Sequence, residues 1–279
     1  MKINYQGIIG SYSSEVSQLL KNSLNIETSI YGNFSFKDVF QKINNKNLLC
    51  IPIENSYAGP IYENFYHIYE NDVEIVGEYY KMINHKLLAK TKDISKIKKV
   101  YSHIQALMQC EKYINNNGIK LQEFSDTALA AKMISESKDD SIGAIASGFC
   151  SEIYGLNILD SDIQDQGGNT TRFLIIKDKS MNNEIFENNE FIKNFKNKKG
   201  KISIIFKTKD EPAILYKCLG SFATKNINLS KIESLPSKEN PFEYIFWIDI
   251  EKPNNDEILE EILNELNFFT KFIKIIGKY

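Results

Sequence analysis

The chain has almost no arginine: among 34 basic side chains Arg172 is the single arginine, and the other 33 are lysines. Lysine serves solubility and surface ion pairs well, so the one exception suggests a task that an ammonium group does poorly. A planar guanidinium holds a carboxylate through two parallel hydrogen bonds and keeps its charge when water is removed. Two interpretations of Arg172 therefore stand side by side: a cation that binds a ligand, and an ion pair inside the fold.

Metal-ligand spacing, long apolar runs and a strong net charge are also missing. The four cysteines form no C-x-x-C pair and the three histidines are scattered, so no zinc-type ligand set is expected. The N-terminus has no apolar core of signal-peptide length, and no stretch approaches the ~20 apolar residues that span a bilayer. A formal charge of -2 gives no electrostatic footprint for nucleic acid. We therefore expect a cytoplasmic chain with reduced cysteines and with no metal, nucleic-acid or membrane partner.

Short hydrophobic runs alternate with amphipathic stretches in the first part of the chain, which is typical of an α/β fold. A length of 279 residues suggests about two domains. A helix is predicted over 127–137. Strands are predicted over 2–5, 47–53, 73–80, 86–90, 99–101, 141–146 and 172–177.

The composition changes at 179–200, where asparagine, lysine and glutamate dominate and a polar linker is predicted. Beyond it the pattern reads βαββαβ, which is the ferredoxin-like arrangement. Such a sheet exposes edges that can pair with a second copy, so we expect an oligomer. The predicted strands are 201–207, 229–233, 244–250 and 271–276, and the predicted helices are 213–224 and 256–268.

The run Thr170-Thr171-Arg172-Phe173 places two hydroxyls, a guanidinium and an aromatic ring at the start of a predicted strand. Because side chains alternate across a strand, Thr171 and Phe173 share one face and Arg172 takes the other. An irregularity at Thr171 would let all three line one cleft, which would suit a ring that carries a hydroxyl and a carboxylate. The competing interpretation is a strand start whose threonines satisfy backbone groups.

Polar side chains also follow two other predicted strands. Glu54 and Asn55 come directly after an apolar strand, at a position where α/β proteins gather ligand sites. Ser102 is the predicted N-cap of a helix on which Gln105 and Gln109 share one face. Either set is equally compatible with an ordinary loop or a solvated helix face.

Taken in order, these segments resemble the prephenate dehydratase family. The resemblance covers nearly the whole chain and rests on four motifs: 5–13 (YQGIIGSYS), 51–56 (IPIENS), 102–106 (SHIQA) and 169–173 (NTTRF). It implies an α/β catalytic domain over 1–178, made of two periplasmic-binding-protein-like lobes with the site in the cleft between them. A linker at 179–200 and a ferredoxin-like βαββαβ ACT domain at 201–279 complete the implied architecture.

The resemblance implies a monofunctional lyase of phenylalanine biosynthesis that converts prephenate to phenylpyruvate, with loss of water and carbon dioxide and without a cofactor. Thr171 would donate a hydrogen bond or relay a proton to the leaving hydroxyl, and Phe173 would pack against the ring. Arg172 would hold a substrate carboxylate or support the site from behind. The implied substrate-binding residues are Ser11, Glu54, Asn55, Ser102 and Gln109.

The implied ACT domain would sense phenylalanine, and its candidate effector residues are Ala213, Ile214, Leu215, Glu233 and Ser234. Ala213 stands where the family has glycine and Leu235 where it has arginine, so phenylalanine inhibition is left open. A homodimer or homotetramer is expected. Two alternatives also stay open: an arogenate dehydratase, which acts on the amino counterpart of prephenate, and a non-catalytic sensor that binds a small organic acid.

Overall fold

The protein is an α/β structure, seen in a computed structural model that describes residues 1–24, 26–182, 186 and 200–279. Its first strands are β1 (Lys2–Gln6), β2 (Ser29–Asn33), β3 (Asn47–Asn55), β4 (Gly59–Pro60), β5 (Val73–Met82), β6 (Lys86–Ala89), β7 (Lys99–Ser102) and β8 (Lys120–Glu123). The later strands are β9 (Ile142–Ala146), β10 (Asn157–Ser161), β11 (Thr170–Asp178), β12 (Lys201–Thr208), β13 (Leu229–Pro236), β14 (Tyr244–Glu251) and β15 (Thr270–Lys278). The helices are α1 (Tyr12–Ser23), α2 (Phe36–Phe40), α3 (Tyr62–Glu70), α4 (Ile104–Gln109), α5 (Glu111–Asn116), α6 (Thr127–Glu136), α7 (Gly148–Tyr154), α8 (Ile214–Ala223) and α9 (Asp256–Phe269).

These strands form two sheets. The larger has the order β13-β14-β12-β15-β5-β11-β3-β1-β2, with β4 beside β3. The smaller has the order β10-β6-β9-β7-β8. We call β1 to β5, β11 and α1 to α3 the amino-terminal unit, β6 to β10 and α4 to α7 the middle unit, and β12 to β15, α8 and α9 the carboxyl-terminal unit.

The amino-terminal unit is organised by β3, whose first seven residues are all buried. Such a continuous apolar run is expected of a strand that lies between neighbours and is covered on both faces. One face packs with α1 in a core that includes Ile3, Val16 and Phe173. The other face packs with α2, α3 and the carboxyl-terminal unit. The sheet therefore separates two cores.

The middle unit is inserted between β5 and β11. The chain leaves the larger sheet through residues 83–85 and returns through residues 162–169. Two apolar clusters, on opposite faces of the smaller sheet, hold this unit together. A groove lies between the amino-terminal and middle units, which is the two-lobed arrangement that the family resemblance implied.

The carboxyl-terminal unit has the strand order β13-β14-β12-β15, with α8 and α9 packed on one face. This confirms the predicted ferredoxin-like βαββαβ pattern. Its strand β15 pairs in parallel with β5 at Gly277 and Ile75, so one sheet runs through both units. A Cβ atom at position 277 would lie 2.5 Å from the Ile75 carbonyl oxygen, so glycine permits this close approach.

Every strand predicted from the sequence is present, with bounds that differ by one to three residues. The predicted linker at 179–200 lies largely outside the described residues, so the domain boundaries stay a prediction. The helix predicted from Ser102 differs in detail. His103 is its N-cap, and the helix breaks at Cys110 before α5 begins. No helix in the described ranges is long and apolar enough to cross a membrane.

Candidate active site

A groove of about 260 Å³ opens between the amino-terminal and middle units. Tyr12 and Lys81 line it from one side, and Lys86 and Ser147 line it from the other. The two units touch beside it, where the Ser147 hydroxyl donates to the Gly10 carbonyl oxygen at 2.9 Å. The groove thus lies where the resemblance places the site, and it carries two lysine side chains.

Thr171 lies at the start of β11, and its strand partner Lys81 lines the groove. Its strand neighbours are Asn55 on β3 and Lys81 on β5. Directly opposed residues of antiparallel strands bring their Cβ atoms to within about 4.5–5.5 Å. The strand register therefore places Thr171 between Asn55 and Lys81.

A chain of amide hydrogen bonds begins at Thr171. The Asn55 Nδ2 donates to Thr171 Oγ1 at 2.9 Å and to Asn169 Oδ1 at 2.6 Å. The Asn55 Oδ1 accepts from the backbone N–H groups of Tyr57 and Ala58, which fixes the direction of this amide. Within the described residues the Thr171 hydroxyl proton has no acceptor. It is therefore free to be donated to a ligand in the crevice.

The same chain of hydrogen bonds crosses from the amino-terminal unit to the middle unit. Asn169 Nδ2 donates to Gln109 Oε1 at 2.8 Å, and His85 Nε2 lies 2.9 Å from that same oxygen. The His85 Nδ1 lies 3.3 Å from the Tyr12 hydroxyl. The crevice is therefore closed at its base by side chains that touch one another in sequence.

Arg172 faces away from this crevice. Its side chain is 3% exposed, and Nε donates to Glu78 Oε2 at 2.7 Å. Nη1 donates to Asp249 Oδ2 at 2.6 Å and to Glu54 Oε1 at 3.0 Å, and Nη2 donates to the Tyr279 hydroxyl at 2.9 Å. A guanidinium with these partners is not offered to a substrate carboxylate. Two roles were considered for Arg172: binding a substrate carboxylate, and stabilising the site from the opposite face of β11. The geometry favours the second.

The cluster around Arg172 joins the amino-terminal unit to the carboxyl-terminal unit. Burial by itself disfavours the charge, but Tyr279, Asp249 and Glu78 raise the pKa of Arg172 well above its ordinary value. Asp249 is fully buried, and it also accepts from Ser203 at 2.5 Å. The cation next to Thr171 in sequence is thus held by residues of both units.

Glu54 belongs to this cluster and not to the crevice. Its Oε2 lies 2.5 Å from Lys231 Nζ, and Lys231 also reaches Glu233 at 3.0 Å. Burial acts to raise the pKa of Glu54, but hydrogen bonds and attraction from Lys231 and Arg172 outweigh it and lower the pKa. Both carboxylate oxygens are occupied by cations. Glu54 thus forms an ion pair between the units, and its expected role in substrate binding stays a prediction.

Three other expected contacts are also placed elsewhere. Phe173 shares the face of Thr171, as predicted, and it is 1% exposed and packs in the core under α1. Ser102 is fully buried and donates to the Ile145 carbonyl oxygen at 2.5 Å, so it is neither the predicted N-cap nor a free donor. Ser11 is the N-cap of α1, where it accepts from the Ser14 N–H, and it is 7% exposed.

The candidate effector residues lie in the carboxyl-terminal unit. Ala213 precedes α8 with φ of 58°, a left-handed conformation that glycine adopts without strain, and Ile214 and Leu215 begin the helix. Glu233 and Ser234 lie on β13, and Glu233 is paired with Lys231. The alanine thus stands at a position whose backbone favours the glycine of the family pattern.

Sequence reasoning missed several crevice residues, namely Tyr12, Lys81, His85, Lys86 and Asn169. Tyr12 and Asn169 lie inside motifs that the sequence singled out, while His85 follows a strand with no motif of its own. Gln109 joins the crevice, whereas Gln105 is exposed. Across the described ranges, no group of three or more His, Cys, Asp or Glu side chains could hold a metal ion.

Comparison with known proteins gives a consistent result. The family model described as prephenate dehydratase matches residues 3–181. The prephenate dehydratase of Methanocaldococcus jannaschii is 40% identical over 272 residues, covering 97% of this chain and 94% of that protein. The chloroplastic arogenate dehydratase/prephenate dehydratase 2 of Arabidopsis thaliana is 34% identical over 294 residues, covering 100% of this chain and 72% of that protein.

A solved structure shares the fold over the full length. The crystal structure of prephenate dehydratase from Arthrobacter aurescens in complex with L-Phe matches with a TM-score of 0.84. It covers 100% of this chain and 89% of that one, at 22% sequence identity. At this level of identity the likeness shows the architecture, including the carboxyl-terminal unit.

Proposed function

The chain belongs to the prephenate dehydratase family, and on that premise we propose that its crevice binds prephenate and that Thr171 assists departure of the ring hydroxyl. The enzyme is a carbon–oxygen lyase that forms phenylpyruvate from prephenate and releases water and carbon dioxide. Hydroxide is a poor leaving group, so the C–O bond breaks readily only if a donor stabilises the departing oxygen. The aromatic ring that forms makes the overall reaction strongly favourable.

The observation that carries this proposal is the direction of the hydrogen bonds at Thr171. Its oxygen accepts from Asn55, and its own proton has no acceptor among the residues that the structure describes. Threonine is a weak acid, so its hydroxyl acts as a hydrogen-bond donor or a relay and not as a strong proton source. A donor held in place before reaction needs no reorganisation when charge develops on the leaving oxygen.

The substrate carries two carboxylates, and the crevice has two cations that remain within reach. Lys81 is the strand neighbour of Thr171 and is paired with Glu15 at 2.5 Å. Lys86 lies 3.9 Å from a largely exposed Asp162. Since Arg172 is committed to buried acids, these lysines are the charges that we assign to the attraction of the dianion.

The test is the formation of phenylpyruvate from prephenate, followed by ultraviolet absorbance with purified protein. Thr171→Ala should lower kcat at least about a hundredfold, because one preorganised donor is worth about 10²–10³ in kcat. Thr170→Ala is the matched control, since among the described residues its hydroxyl donates to the Gly168 carbonyl oxygen alone. Near-parental turnover by Thr171→Ala would remove the residue from the mechanism.

Arogenate is the second candidate substrate, because the Arabidopsis relative is named for both activities. Arogenate carries an amino group where prephenate carries a keto oxygen. Comparing kcat/KM for prephenate and for arogenate on the same preparation decides between them. A higher value for arogenate would reassign the preferred substrate and leave the role of Thr171 unchanged.

We also propose that the carboxyl-terminal unit senses phenylalanine and that the chain assembles as a homodimer or homotetramer in the cytoplasm. The ferredoxin-like strand order of this unit, with two helices on one face, supports the first part. In the described part of the chain, β13 ends the sheet with no strand beyond it, which supports the second. Titrating phenylalanine in the prephenate assay tests the sensor, and light scattering measures the mass of the assembly. Turnover that does not change with phenylalanine contradicts the sensor.

A further inference from the structure

His85 is a buried histidine to which neither the sequence motifs nor the proposed chemistry gives a role. It ends the first connection between the amino-terminal and middle units and is 3% exposed. Its backbone is held on both sides: its N–H donates to Gln164 Oε1 at 3.0 Å, and its carbonyl oxygen accepts from the Ile163 N–H at 3.2 Å. The ring is therefore fixed at the base of the crevice.

The hydrogen bonds around His85 determine which nitrogen carries the proton. Gln109 Oε1 accepts from Asn169 Nδ2, so it is an oxygen that faces His85, and His85 Nε2 must donate to it. In the neutral ring Nδ1 then accepts from the Tyr12 hydroxyl, which can otherwise donate to the Asn84 carbonyl oxygen at 3.1 Å. Burial lowers the pKa of His85, against a smaller opposing effect of Gln109, which favours that neutral form.

The direction of every amide in this chain of hydrogen bonds follows from Asn55. Its oxygen is held by two backbone N–H groups, so its nitrogen must face Asn169 and Thr171. Asn169 then accepts from Asn55 and donates to Gln109 Oε1, where His85 Nε2 is the second donor. The amide nitrogen of Gln109 is then left without a partner in the described ranges, so it is available to a ligand together with the Thr171 hydroxyl.

We propose that His85 is a positioning residue for the dehydration: its Nε2–H holds the Gln109 amide so that Gln109 and, through Asn169 and Asn55, Thr171 present their donors to prephenate. This inference rests on the proposed function. It differs from a merely structural role because it predicts coupling between His85 and Gln109 in turnover. Without the Nε2 donor the Gln109 amide can rotate. The donor and acceptor directions along the chain of hydrogen bonds are then no longer fixed.

A double-mutant cycle in the prephenate assay tests this role. His85→Leu should lower kcat/KM by about 10- to 100-fold, because a buried acceptor loses its donor. In a Gln109→Leu background the same change should cost less than about threefold, since the group that it positions is already gone. Equal losses in both backgrounds would overturn the proposal. His103→Leu is the matched control, because His103 caps α4 outside the chain of amides.

Two conservative variants keep the test valid if His85→Leu does not fold. The amide nitrogen of His85→Gln can occupy the place of Nε2, and kcat/KM should stay within about fivefold of the parent. His85→Asn reaches only the place of Nδ1 and should lose as much activity as a variant without the donor. Equal activities of the Gln and Asn variants would overturn the proposal. The proposed function fails separately, through parental turnover of Thr171→Ala.

Discussion

Removal of the guanidinium at position 172 should destabilise the fold strongly, and the structure indicates where the cost falls. In Arg172→Met, Glu78 keeps Lys201 and Glu54 keeps Lys231. Asp249 keeps only its neutral donors, Ser203 and Trp247. One carboxylate is thus left buried without a cation in the described part of the chain. Breaking such a pair from one side costs about 3–5 kcal/mol.

The expected result is a loss of about 3–5 kcal/mol in the free energy of unfolding, measured by urea denaturation. The fluorescence of Trp247 reports on the surroundings of Asp249, since the indole Nε1 of Trp247 donates to Asp249 Oδ1 at 2.8 Å. The unfolding free energy of Arg172→Lys should lie between those of the parent and Arg172→Met, because one ammonium group cannot reach all the acids that the guanidinium contacts. Adding Asp249→Asn to Arg172→Met should recover part of the loss, since it removes the unpaired charge.

A surface pair provides the control. Lys179→Met breaks an exposed pair with Asp72 at 3.8 Å and should change the unfolding free energy by less than about 1 kcal/mol. The KM for prephenate should stay within about threefold in Arg172→Lys if the guanidinium makes no substrate contact. A loss below about 1 kcal/mol in Arg172→Met, or a large rise in KM with stability intact, refutes this reasoning.

Two further predictions concern the carboxyl-terminal unit and the pH dependence of stability. Ala213→Gly should raise the melting temperature, because it relieves a left-handed alanine that costs about 1–2 kcal/mol, partly offset by the entropy of glycine. A lower melting temperature would contradict this. The paired Glu54 has a depressed pKa, so it stabilises the fold above its unfolded pKa, and that contribution disappears as pH falls through the folded value. The stability gap between the parent and Glu54→Gln should therefore close with acid, whereas a gap independent of pH argues against the ion pair.

The sequence predicted the elements well where local pattern is strong. Apolar runs such as β3 and β12 were identified within one to three residues. Ala213 was predicted as the first residue of a helix, whereas it precedes α8 in a left-handed conformation. Exposed strands such as β8, all four of whose side chains are exposed, carry no apolar pattern and were missed. The carboxyl-terminal strand order followed from the βαββαβ pattern, but its union with β5 did not.

The contacts of the candidate site could be predicted only in part, and the reason is physical. Alternation along β11 put Thr171 and Arg172 on opposite faces, but only the fold shows that the second face is covered by Asp249 and Tyr279. A sequence cannot show which distant acid meets a cation. The contacts of His85 with Tyr12 and Gln109 are likewise long-range, so no local signal marked that histidine.

The pairing of β15 with β5 also bears on how the chain folds as it is synthesised. The two strands lie about two hundred residues apart in sequence, so the edge of β5 stays open until the late strand emerges from the ribosome. Contacts between such distant segments slow folding, and an open edge invites pairing with another chain. Dilute conditions should therefore favour the yield of native enzyme.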